Sequence, residues 1–113
     1  MTEISDQRLK AWSALSELFL DTELSDKNFE SIAVRLYKTG YPLIEIERIL
    51  WNEVYPILKF NLITVAGEWA YFSDEWLLLN LKTNQKNKRP FLFPANEIKS
   101  SWLNVKVKIN ASE

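Results

Sequence analysis

Glu53 is the residue whose position most suggests chemistry. At 100° per residue it falls among Ile46, Ile49, Leu50 and Ile57, in the middle of an apolar helical stripe. An enzyme would use such a carboxylate as a general acid or base. No second reactive polar group is evident beside it, which favours a structural role. A buried carboxylate is costly unless it is hydrogen-bonded, so Glu53 is expected to accept from Asn61, a tryptophan indole or backbone N–H groups freed near Pro56.

A second constellation is the acidic run Glu17, Asp21, Glu23 and Asp26. Paired carboxylates hold divalent cations, but the calcium loop needs a glycine and a closing glutamate at fixed spacing, and neither is present. The run then reads as a solvated acidic surface, or as a docking surface for a basic partner with Trp12, Phe19 and Tyr37 nearby. Trp51 lies about 140° from Ile46, outside the centre of its stripe. Trp51 and the neighbouring Tyr55 are therefore candidate partner contacts beside the four acids.

The residue types that are missing exclude more than those present suggest. Across 113 residues there is no histidine and no cysteine. A Ser-His-Asp triad, a cysteine nucleophile, a thiolate zinc site and any histidine-containing metal site are all ruled out. Glycine-rich dinucleotide and phosphate loops are absent as well, so no cofactor and no metal are expected.

Charge is unevenly distributed. Residues 1–82 carry 8 basic and 13 acidic side chains, net −5; residues 83–113 carry 6 basic and 2 acidic, net +4. The tail cations Lys86, Lys88, Arg89, Lys99, Lys106 and Lys108 interleave with Phe91, Phe93 and Trp102. Six charges on a loop and a short element are few for nucleic acid, and the acidic body would repel phosphate. No secretory leader pattern opens the chain, and the densest apolar run, Trp76 to Leu79, is one helical turn. A cytoplasmic protein without membrane contact is the expectation.

The elements that must position these residues read as helices. Asp6 to about Asp21 carries Leu9, Trp12, Leu15, Leu18 and Phe19 at helical spacing, with Ser5 or Asp6 as N-cap. Ser25 caps a second helix bearing Phe29, Ile32, Ala33, Leu36 and Tyr37, and Gly40 ends it. Pro42 opens a third, which Pro56 must kink or break because its ring crowds the Asn52 carbonyl. A fourth piece runs from Ile57 to Val65. Ser73 caps a fifth, Asp74 to about Lys82. The pattern predicts an all-α compact bundle of about five short helices over residues 1–82. Residues 83–113 form a basic aromatic extension packing on it. Within that extension, Asn96 to Leu103 suits a short helix, whereas the alternation from Val105 to Ile109 suits either an edge strand or a continued helix.

Trp76 to Leu81 is apolar on nearly every side, so something must cover it. The tail folding back through Phe91, Phe93 and Trp102 is one cover, and a second subunit is another.

The segments ELFLDTEL (Glu17 to Leu24), ERILWNEVYP (Glu47 to Pro56) and VAGEW (Val65 to Trp69), with Phe72 and Trp76-Leu77, resemble a known family. Its members are small bacterial proteins described only as a domain of unknown function. The resemblance covers roughly the first 80 residues and implies a small cytoplasmic protein, with no activity or catalytic residues to carry over.

Two functional expectations follow. The first is a small acidic, tryptophan-rich module that binds another protein, in the manner of immunity proteins and antitoxins that neutralise a cognate toxin. The second is a non-catalytic structural or regulatory subunit acting as a homodimer through Trp76 to Leu81. An enzyme built on Glu53 or the acidic run ranks below both.

Overall fold

A computed structural model describes residues 4–19, 24–58, 73–81 and 95–112, with side chains of the last segment described over 98–110. Local signals start and stop its helices. Ser5 accepts the Arg8 N–H at the head of α1 (Asp6–Ser16), which tightens into a 3₁₀ turn over Glu17–Phe19. Residues 20–23, where the helix was expected to end, lie outside the described residues. At α2 (Asp26–Lys38) a capping box forms: Asn28 N–H donates to Ser25 Oγ at 3.3 Å, and Ser25 N–H donates to Asn28 Oδ1 at 2.8 Å. The chain leaves α2 through Gly40 at φ 82°, a left-handed position that only glycine takes cheaply.

Pro42 is the N-cap of α3 (Leu43–Ile49). The helix does not break at Pro56. Leu50–Val54 widens into a π turn, in which Tyr55 N–H donates to Leu50 O, and helical geometry then continues through residues 55–58. One extra residue in the turn before a proline accommodates a ring that a tight α-turn would crowd. The rest of the expected fourth piece lies outside the described residues.

Ser73 accepts the Trp76 N–H at 3.1 Å and starts α4 (Asp74–Asn80), with Asp74 and Glu75 in the first turn, where the helix dipole favours acids. The edge-strand reading of the tail is corrected: α5 runs unbroken over Ala95–Ser112. Ile98, Trp102, Val105 and Ile109 are buried at helical spacing, whereas Val107 is 60% exposed. A strand would have placed Val105, Val107 and Ile109 on one face.

The described residues form an all-α globule of five helices with no strand. Its axis is α1, whose Ala11, Trp12, Ala14 and Leu15 are fully buried and which contacts α2, α3 with its π turn, and α4. The last helix, α5, lies on α2 and on the 3₁₀ turn, and its four buried side chains belong to the same core cluster as those of α1–α4. In α4 Leu77 is buried and Trp76 packs on the core, as does Leu81 just after its end, while Leu78 (46%) and Leu79 (84%) stay exposed. Phe91 and Phe93, expected to cover this helix, lie outside the described residues. No helix among the described residues is long and apolar enough to cross a membrane.

Candidate functional site

Glu53 sits on the inner side of the π turn and is 3% exposed. The α1 helix presents Arg8 and Trp12, one turn apart, to this carboxylate. The Trp12 indole N–H donates to Glu53 Oε1 at 2.8 Å, and Arg8 Nε lies 3.5 Å from the same oxygen. Arg8 also reaches Glu45 Oε2 at 3.5 Å, and its guanidinium stacks over the Tyr41 ring at 5.4 Å. Arg48 pairs with the other oxygen of Glu45 at 3.3 Å. This chain of partners ties α1 to α3.

Indole and guanidinium groups donate hydrogen bonds and do not accept them. Such partners fix the orientation of a buried carboxylate and compensate its desolvation, and they provide no proton relay. Asn61, the other expected partner of Glu53, lies outside the described residues.

A second indole–carboxylate pair, which sequence reasoning missed, joins α5 to α3. The Trp102 N–H donates to Glu47 Oε2 at 2.8 Å, and Lys106 Nζ reaches that oxygen at 3.3 Å. A buried tryptophan needs a hydrogen-bond partner for its N–H, which was the available signal, but nothing local identified Glu47. Trp102 had been expected to cover α4.

The Glu47 carboxyl is held below its ordinary value of 4.5. The Trp102 hydrogen bond is the largest cause, partial burial opposes it, and the Lys106 ammonium adds to the lowering. The stability this contributes is therefore complete above pH 4.5 and lost as pH falls through the lowered native value. Glu47→Gln is expected to remove that share of the acid loss. Urea midpoints measured between neutral pH and pH 3 check it; an acid slope identical to that of the parent would refute it.

The acidic run fares differently from the expectation of a bare anionic surface. Glu17, on the 3₁₀ turn, pairs with Arg35 of α2, which also donates to Ser13 Oγ at 3.1 Å. Asp26, although its side chain is 81% exposed, meets Lys108 of α5 at 3.0 Å. Asp21 and Glu23 lie outside the described residues. The basic tail thus returns charge to the acidic body: Lys106 goes to Glu47 and Lys108 to Asp26. No cluster of three or more potential metal ligands occurs among the described residues.

Of the candidate aromatic contacts, Tyr55 is 5% exposed and packs against Phe19 and Trp51, with ring centroids at 6.2 and 5.3 Å. Burial pushes its phenol up from the ordinary value of 10.0. Its ring belongs to the core, so it is not an available partner contact. Trp51 is half-buried, one face on Tyr55. An open groove of about 600 Å³ between α1, α2 and the start of α4 mixes Lys10, Arg35 and Lys38 with Asp6 and Asp74. None of the candidate site residues among the described ones lines it.

An all-α globule knitted by indole–carboxylate bonds is the class this geometry defines. Residues 6–112 match the family described as a domain of unknown function, DUF7079, and the chain belongs to it. The match extends through α5, well past the point near residue 80 where the motif resemblance ended. No curated protein and no solved structure matches the chain.

Proposed function

We propose that this chain is a non-catalytic, cytoplasmic protein-binding module, of the kind represented by immunity proteins and antitoxins that neutralise a toxin. One observation carries the reading. Large apolar side chains stand outside helices whose backbones are tied together from within: Ile44 (70%), Leu79 (84%), Leu103 (60%) and Val107 (60%). Meanwhile five of the described carboxylates, Glu17, Asp26, Glu45, Glu47 and Glu53, are engaged with cations or indoles of the chain itself. This shifts the expected docking surface from bare acids towards apolar side chains.

Affinity capture from the native cell, with identification of bound proteins, tests the reading; a discrete stoichiometric partner is expected. If nothing co-purifies while neighbouring genes are expressed, the reading fails. The second reading, a homodimer through Trp76 to Leu81, is favoured by the exposure of Leu78 and Leu79 on α4. It would replace the first if light scattering shows a dimer that Leu79→Asp dissociates.

A further inference from the structure

The open groove between α1, α2 and the start of α4 gathers charges that the fold leaves unused. Asp6, Leu9, Lys10 and Ser13 fall at helical spacing along one face of α1 and form its first wall. Arg35 and Lys38 of α2 form the second, and Asp74 stands at the head of α4. Leu9, Ser13 and Arg35 are half-buried, whereas Asp6, Lys10, Lys38 and Asp74 are exposed around them. Arg35 pairs with Glu17 and donates to Ser13 Oγ at 3.1 Å, which holds the two walls together. The four exposed charges enter no ion pair with any described residue.

Volume, charge and length each restrict the occupant. At about 600 Å³ the groove falls in the range of small-molecule sites and exceeds what an inorganic ion needs. Unpaired charges of both signs line it. An anion alone would lie among Asp6 and Asp74, and a polyamine among Lys10 and Lys38, so either would meet two like charges. A ligand with one ammonium and one carboxylate can match both signs. Along α1, Asp6 and Ser13 are separated by about 10 Å of helix rise, roughly the reach of three extended residues. Leu9 lies between those ends and offers an apolar contact.

We infer that this groove binds a short zwitterionic peptide of about three residues with both termini free. Its ammonium faces Asp6 and Asp74. Its carboxylate faces Lys10, Lys38 and the Ser13 hydroxyl, whose oxygen accepts from Arg35 and whose proton serves the ligand. An apolar central side chain lies on Leu9. The site goes beyond the protein-binding reading above and does not depend on it.

The test titrates the full chain at low salt with the tripeptide Ala-Leu-Ala, its N-acetylated form and its C-terminal amide, followed by amide resonances. The free tripeptide is expected to shift Leu9, Lys10 and Ser13, and each capped form to bind about fivefold more weakly or worse. Lys10→Ala should weaken the free tripeptide by a similar factor and leave the melting temperature in place, since Lys10 is exposed. It should change the binding of the amide little, because the carboxylate it serves is already neutral. No binding of the free tripeptide, or shifts confined to other helices, would overturn the site. Undiminished binding of the N-acetylated form would give the groove to anions, and undiminished binding of the amide would give it to cations. Either result overturns the zwitterion assignment, as does free-tripeptide binding that Lys10→Ala leaves unchanged.

Discussion

Trp12→Ala is expected to cost about 3–5 kcal/mol, a large part of the 5–15 kcal/mol that holds a typical domain together. Two losses combine. Trp12 is fully buried at the centre of α1, so truncation opens a cavity among Leu15, Leu50 and their neighbours in the core. It also removes the indole that satisfies Glu53, leaving a 3% exposed carboxylate short of a donor. Trp12→Phe separates these effects: the ring volume largely stays, the N–H goes, and the expected cost is about 1.5–3 kcal/mol. Adding Glu53→Leu to Trp12→Phe should cost less than the two single changes together, because the acceptor that lost its indole then disappears with its donor. Urea unfolding of the four variants gives the coupling directly. A Trp12→Phe protein as stable as the parent, or strict additivity in the double variant, would show that the indole–carboxylate bond contributes nothing.

The position of Glu53 was legible because it depends on one helix alone: its phase against Ile46, Ile49 and Leu50 puts it inside whatever packs there. The caps at Ser5, Ser25 and Ser73 and the stop at Gly40 were legible for the same reason, since each is settled within four residues. Pro56 signalled an irregularity, but its form, a π turn before the proline, depends on how α3 meets α1. The ion pairs were not legible at all. Lys106 and Glu47 are 59 residues apart, and nothing in either segment specifies the other. The segregation of charge between body and tail therefore looked like a docking signal. In the fold, part of it is met inside the chain, where α5 brings Lys106 and Lys108 to acids on α3 and α2. The tail's conformation was ambiguous because Val-Lys-Val-Lys-Ile satisfies both periods, and only the packing of α5 on α2 decides between them.

That decision has a measurable consequence at two neighbouring valines. Val105 is fully buried against the core and Val107 is 60% exposed on the opposite side of α5. Val105→Asp places a carboxylate in an apolar contact, among the most costly kinds of substitution, and is expected to lose about 3 kcal/mol or more. Val107→Asp is expected to stay within about 0.5 kcal/mol of the parent. In an edge strand the two positions would share a face and respond alike, so thermal melts of this pair distinguish helix from strand. The larger change is removal of residues 83–113. Ile98, Trp102, Val105 and Ile109 line the core from α5, and burying each such side chain is worth about 1.5–3 kcal/mol. Losing four of them removes about 6–12 kcal/mol, comparable to the whole stability of a small domain, and strips the cover from α2. Residues 1–82 alone are therefore expected to collapse into an aggregating, non-cooperative state. A monomeric fragment with a sharp melting transition would mean instead that the first four helices carry the fold and α5 is an appendage to it.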